Sequence, residues 1–225
     1  MKSSIDKKIV FLTGGTGSFG KRFIKHALKQ NVKQIIVFSR DEMKQWNLNL
    51  ELNDEKKVKF VIGDVRDLTA IKNSIGDSDL IVHAAATKIV PTAEYNPAEC
   101  VKTNIQGALN VIEATKGTKV KNVVALSTDK ASAPINLYGA TKLVSDKLFV
   151  AANLNSNTKF SIVRYGNVMG SRGSVIPFFL KQSTSNKFTI TDKRMTRFMI
   201  SLDDGVSLVL HAFKDMVGGE IYVKK

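Results

Sequence analysis

Apolar residues fall in short blocks along the chain, and the polar stretches between them have helical spacing. "KIVFLT" (Lys8 to Thr13) is apolar, β-branched and too short for a helix, so it predicts a buried strand. "KRFIKHALKQ" then repeats apolar positions three and four apart, as one face of a helix does. "QIIVFS" predicts a second strand. "DEMKQWNLNLEL" predicts a helix whose N-terminal Asp41 and Glu42 suit the helix dipole. "VKFVIGD" and "DLIVHAAA" predict the third and fourth strands. "NPAECVKTNIQGALNVIEATK" predicts one long helix, and "NVVALST" and "KFSIVRY" the fifth and sixth strands. Wholly apolar strands separated by helices predict an α/β fold built on a doubly wound parallel sheet. The alternation loosens after Gly166.

Composition narrows the class. The 225 residues fit one sizeable domain, and 43% hydrophobic with 24% charged residues is a globular balance. No apolar run reaches the roughly 18 residues of a membrane-spanning helix. The start, "MKSSIDKKIVFLTGG", runs into a strand and is not expected to be a secretory leader. No membrane association is expected. The single cysteine, Cys100, predicts a reduced thiol and fits the cytoplasm. His26, His83 and His211 lack neighbours at ligand spacing, so no metal site is expected. The net charge of +14 attracts anions, nucleotides and sugar nucleotides among them. The lysines are scattered and form no concentrated basic patch, so nucleic acid is not expected as a partner.

"TGGTGSFG" sets Gly14, Gly17 and Gly20 at GxxGxxG between a strand and a helix. Glycine lets the backbone turn tightly and approach a diphosphate, and the helix N-terminus offers free N–H groups to the phosphates. This predicts dinucleotide binding. Residues 1–166 then read as the Rossmann-like core, and 167–225 as a partial substrate-binding region interleaved with it. "FSRDEMK" ends the second strand. Arg40, with Lys44 one turn on, suits the 2′-phosphate of NADP, while Asp41 keeps NAD open. Asp64 and Val65 follow the third strand and are expected at the adenine. Ala84 follows the fourth strand, where the backbone must pass close to the cofactor.

The stretch "LSTDKASAPINLYGATKL" carries Thr128, Asp129 and Lys130 at the carboxyl end of the fifth strand, which faces the ligand crevice of such folds. Tyr138 and Lys142 share a helix face four residues apart. An ammonium beside a phenol favours the phenolate, so Tyr138 is expected to have a lowered pKa and to act as a base during hydride transfer.

TGxxGxxG with a downstream YxxxK resembles the extended short-chain dehydrogenase/reductase superfamily. The strings "FLTGGTGSFG", "HAAATKIVPTAEYNP", "LSTDKASAPINLYGATKL", "RYGNVMGSRGSVIPFF" and "MTRFMI" resemble the soluble inverting UDP-N-acetylglucosamine 4,6-dehydratases over nearly the whole chain. That family begins pseudaminic acid and related bacterial sugar pathways. The resemblance implies that NADP+ takes hydride from sugar carbon 4 while Tyr138 takes the hydroxyl proton. Lys130 then removes the carbon 5 proton, Asp129 protonates the departing carbon 6 hydroxyl, hydride returns to carbon 6, and carbon 5 is reprotonated on the opposite face. Retaining relatives carry Asp-Glu here, so Lys130 marks the inverting class. A lysine base needs a depressed pKa, expected from burial beside Lys142 and Lys88.

By the same resemblance Thr128, Asp129, Lys130, Tyr138 and Lys142 are catalytic. Gly14, Thr16, Gly17, Ser18, Phe19, Gly20, Arg40, Lys44, Asp64, Val65, Ala84, Lys88, Tyr138, Lys142 and Val168 hold the cofactor. Lys88, Asn167, Arg172, Gly173, Ser174, Val175 and Ile176 line the sugar-nucleotide site. The family runs on past "GGEIYVKK", which implies a C-terminally shortened chain that lacks part of the nucleotide-diphosphate pocket. A homo-oligomer is expected on the same ground. A nucleotide-sugar 4-epimerase would use Tyr138 and Lys142 without needing the Asp-Lys pair. A non-catalytic NADP-binding module is the third reading.

Overall fold

The structure is a computed structural model and describes residues 3–171, 174–185, 187–190 and 192–224. In chain order the core elements are β1 (Ile9–Thr13), α1 (Ser18–Leu28), β2 (Gln34–Ser39), α2 (Glu42–Glu51), β3 (Val58–Ile62), α3 (Leu68–Ile75), β4 (Leu80–His83), α4 (Val90–Tyr95), α5 (Pro97–Val101), α6 (Gly107–Thr115), β5 (Asn122–Thr128), α7 (Leu137–Ala152) and β6 (Lys159–Tyr165). They are followed by β7 (Asn167–Val168), α8 (Val175–Gln182), β8 (Met199–Ile200), α9 (Leu202–Asp215) and β9 (Ile221–Val223).

The main sheet has seven strands in the order β3-β2-β1-β4-β5-β6-β9, all parallel. Order reverses between β1 and β4, the switch point at which such sheets open a ligand crevice. The register sets Thr13 beside His83, and Thr128 beside Tyr165, so the polar strand ends line one edge.

Alternate strand residues face opposite sides. Val10, Leu12, Val37, Val82, Val124 and Val163 pack with Phe23 and Ile24 of α1 and with Val206 and Val209 of α9. Phe11, Phe38, Ile81, Val123 and Ile162 pack with Ile71 of α3, Val111 of α6 and Phe149 of α7. Each such buried side chain contributes about 1.5–3 kcal/mol by leaving water. After Gly166 the chain makes the small β7–β8 pair and α8, then returns to the core. There α9 packs on α1 and β9 pairs with β6. Arg22 and His26 of α1 both reach Asp203 of α9, His26 Nε2 at 2.6 Å.

The expected long helix runs unbroken from Pro97 to Thr115 as α5, one π-helical turn and α6. A π-helical turn, Lys102–Gln106, joins α5 to α6. Its wider turn rotates Asn104 into the interior, where the side chain is 1% exposed.

Candidate active site

The glycine turn is packed to the limit. Gly14 adopts φ +68°, and a Cβ on it would lie 2.8 Å from the Ala84 carbonyl carbon and the Ala85 nitrogen. A Cβ on Gly20 would lie 2.4 Å from Gly15. Gly17 caps α1 with no side-chain hydrogen bond, and the positive end of the helix faces this turn. The Thr13 hydroxyl accepts the N–H groups of Ala84 at 3.1 Å and Ala85 at 3.2 Å, tying the ends of β1 and β4 together. Thr16 is buried beside this turn. Phe19 stacks on Phe23 and Tyr165, with centroids 6.0 and 6.4 Å apart. This bare, tight cradle fits a dinucleotide diphosphate.

At the end of β2, Arg40 is exposed and its Nη1 lies 3.5 Å from Asp64 Oδ2. The Lys44 ammonium pairs with Asp41, and Asp41 caps α2 by accepting the Lys44 N–H at 2.9 Å. Arg66 holds Asp64 through Nε at 2.8 Å and Nη2 at 2.6 Å. Burial pushes the Asp64 pKa up, but the hydrogen bonds from Arg66 outweigh it and leave that carboxyl below its usual range. Arg66, which the motif reading passed over, gathers with Arg40 and Lys44 at this corner. Val65 is buried, and its carbonyl accepts from Asn110 Nδ2 at 2.9 Å.

Past β5 a tight turn, Asp129–Ala131, presents the acid and the amine. Lys130 Nζ donates to Asp129 Oδ1 at 3.0 Å and to Asn167 Oδ1 at 3.2 Å. Thr128 Oγ1 donates to Asp129 Oδ1 at 2.9 Å and also bonds Tyr138. Thus Thr128, Asp129, Lys130, Tyr138 and Asn167 form one cluster, in which the Lys130 ammonium is held by Asp129 and Asn167.

The Tyr138 pKa runs against expectation. Burial pushes the phenol up to about 12, the Thr128 hydrogen bond lowers it less, and Asp129 and Asp146 add to the rise. Desolvation therefore sets the direction of the shift. Lys142 is 2% exposed, and burial lowers its pKa while Asp146 raises it. Asp146 is itself buried and accepts from Ser127 Oγ at 2.9 Å and Arg164 Nε at 2.8 Å.

Asn104 also escaped the sequence reading. Its Oδ1 accepts the Thr87 N–H at 2.9 Å, and its Nδ2 donates to the Thr87 carbonyl at 2.9 Å and to Thr141 Oγ1 at 3.0 Å. It therefore pins the backbone next to Lys88, which is exposed, and joins it to the helix of Lys142. Cys100 is a buried thiol 3.6 Å from Thr141 Oγ1.

Val168 follows Asn167 in β7. Ser174 caps α8 with its hydroxyl buried and unbonded among the described residues, and Val175 and Ile176 begin that helix half-exposed. Arg172 and Gly173, expected beside them, lie outside the described residues. Among the described residues no helix is long and apolar enough to cross a membrane.

Residues 10–225 match the family described as "Polysaccharide biosynthesis protein". The chain is 56% identical to a UDP-N-acetylglucosamine 4,6-dehydratase (inverting) of Campylobacter jejuni over 225 residues, which cover 97% of this chain and 67% of the relative. It is 49% identical to a UDP-glucose 4-epimerase of Rickettsia bellii over 226 residues, 97% of this chain and 66% of that one. The X-ray structure of Pen from Bacillus thuringiensis superposes with a TM-score of 0.94 at 42% identity, covering 97% of this chain and 71% of that one. The chain thus spans about two thirds of the length of these curated relatives.

Proposed function

The chain belongs to the polysaccharide biosynthesis protein family, and from that premise we propose that it carries out the NADP-dependent 4,6-dehydration of UDP-N-acetylglucosamine, with inversion at sugar carbon 5. The observation that carries the reading is the Lys130 ammonium, set between the Asp129 carboxylate and the Asn167 amide beside Tyr138. An epimerase exchanges hydride at carbon 4 alone and has no use for a second acid–base pair. A dehydratase needs one group to take the carbon 5 proton and another to protonate the carbon 6 hydroxyl.

A bound NADP supplies the reversible hydride acceptor. The protein supplies the proton transfers. Tyr138 takes the carbon 4 hydroxyl proton once positive charge in the crevice offsets the desolvation that holds the phenol protonated. The resulting ketone acidifies carbon 5. With the proton of their pair on Asp129, the Lys130 amine removes the carbon 5 proton and the Asp129 carboxyl protonates the leaving hydroxyl; hydride returned to carbon 6 and a proton delivered to carbon 5 from the opposite face would complete the redox-neutral product. Arg40 and Lys44 favour NADP over NAD because a 2′-phosphate gives both cations an anionic partner. The roles of Lys88, Val168, Ser174, Val175, Ile176, Arg172 and Gly173 at cofactor and sugar are part of the same proposal. So are a cytoplasmic homo-oligomer and a product that enters bacterial surface or flagellar glycan of the pseudaminic acid type.

The 49% identity to a UDP-glucose 4-epimerase favours epimerisation as the second reading. Proton NMR of UDP-N-acetylglucosamine incubated with protein and NADP+ in deuterated water separates the two. A 4-keto-6-deoxy product with deuterium and inverted configuration at carbon 5 is expected. A carbon 4 epimer with no loss of the carbon 6 oxygen would overturn the dehydratase reading.

A further inference from the structure

His83 ends β4 and is fully buried beneath the site, yet the chemistry proposed above gives it no role. Its Nδ1 lies 2.9 Å from Thr13 Oγ1. That hydroxyl already accepts two N–H groups, from Ala84 and Ala85. A hydroxyl has two lone pairs and one hydrogen, so the third contact is its own O–H given to Nδ1. The ring proton therefore sits on Nε2. Burial, with the Lys142 charge second, pulls the His83 pKa down to about 3, so the imidazole stays neutral near physiological pH.

Nε2 is buried and bonded to no described group, and neither is Ser145 Oγ. Lys142, Ser145 and Phe149 lie three and four residues apart, one stripe of α7. The Phe149 ring packs on the His83 ring with centroids 5.7 Å apart, so the stripe faces the imidazole. Ser145 and Lys142 stand on that stripe toward the crevice. The titratable group that acts on His83 is Lys142, and the one that acts on Lys142 is Asp146 of α7. Asp146 is already engaged by Ser127 and Arg164. Neither the ring N–H nor the Ser145 hydroxyl is bonded to a described group, and a water between them would donate to the hydroxyl and accept from the ring and from the Lys142 ammonium.

We propose that His83 is a positioning residue for Lys142: its Nε2–H and the Ser145 hydroxyl hold a water that accepts a hydrogen bond from the Lys142 ammonium and fixes where that ammonium points. The catalytic consequence rests on the reading of Lys142 as the partner of Tyr138, whereas the water site does not.

Nitrogen-15 NMR of the histidine-labelled 225-residue chain reads the tautomer directly. A neutral Nε2–H ring is expected, and a high-resolution crystal structure is expected to place a water within hydrogen-bond reach of Nε2 and Ser145 Oγ. An Nδ1–H tautomer, or a junction without water, overturns the proposal. His83→Phe keeps the packing on Phe149, and Ser145→Ala leaves the ring in place should the first variant fold poorly. In turnover of UDP-N-acetylglucosamine, each is expected to lower kcat about tenfold with KM unchanged and to move the alkaline limb of the pH profile down by about one unit, because the ammonium loses an acceptor. A folded Ser145→Ala protein with an unshifted profile overturns the positioning role. A wild-type chain that turns over no sugar, yet shows the tautomer and the water, sinks the dehydratase reading and leaves the water site standing.

Discussion

Gly139 is the third residue of α7, and an alanine there tests how tightly the two halves of the proposed acid–base machinery are fitted. The added Cβ would lie 2.2 Å from the Lys130 carbonyl oxygen and 3.1 Å from Pro134 Cβ. Ordinary contact begins near 3.4 Å. The obstacle is backbone and cannot rotate away, so turn and helix must part by about 1 Å. Asp129 and Lys130 ride on the turn, and Tyr138 rides on the helix. The separation therefore falls between the carbon 5 chemistry and the carbon 4 base. A displacement of that size costs about 100-fold in rate, and overpacking costs about 1–3 kcal/mol of stability. Gly139→Ala is expected to stay folded, to lose about 1–3 kcal/mol in urea denaturation, and to lower single-turnover sugar oxidation about 100-fold. The glycine cradle belongs to other elements, so NADP+ affinity by calorimetry is expected to change less than about twofold. A folded variant with the wild-type rate would refute the argument that this contact sets the geometry. Affinity falling in step with rate would show that the whole strand edge had moved.

Asp146→Ala strands the largely buried Arg164 and the Ser127 hydroxyl without their acceptor, and urea denaturation is expected to show a loss of about 3–5 kcal/mol. Because Asp146 raises the Lys142 pKa, the alkaline limb of the rate profile is expected to move down in the same variant. Arg40→Ala is expected to weaken NADP+ binding about tenfold and NAD+ binding less than about twofold in paired titrations; equal losses would remove Arg40 from the 2′-phosphate. The folded-state pKa of His83, about 3, lies below its ordinary 6.5, so the unfolded chain takes up the proton first. The stability contributed by a neutral His83 is then complete above about pH 6.5 and is lost as pH falls toward 3, at up to about 1.4 kcal/mol per pH unit. His83→Gln is expected to flatten that slope in urea midpoints taken between about pH 7 and 4, and an equal slope in both proteins would contradict it.

The strands were readable because a parallel strand buried on both faces must be apolar at nearly every position, as Ile9 to Leu12 and Val123 to Leu126 are. The glycine turn was readable because a φ of +68° and a 2.8 Å gap admit no other residue without strain. The return of α9 and β9 to the core was not. The stripe of Val206, Val209 and Phe213 fixes a helix but not the sheet face it covers, and β9 is only three residues long. Asn104, His83 and Asp146 stayed hidden for a related reason. The meaning of each lies in partners from remote segments, such as Thr87 and Thr141 for Asn104. The π-helical turn that brings Asn104 inward leaves no mark in the apolar spacing, so the long helix was readable and the bulge inside it was not. Tyr138 shows the deeper limit. The spacing to Lys142 displays a charge that lowers a phenol pKa, and the sign drawn from it was wrong for this structure. Spacing shows which groups are neighbours, but it does not show how much water each has lost. At Tyr138 the lost water outweighs the neighbour, so the phenol keeps its proton until added positive charge in the crevice reverses the balance.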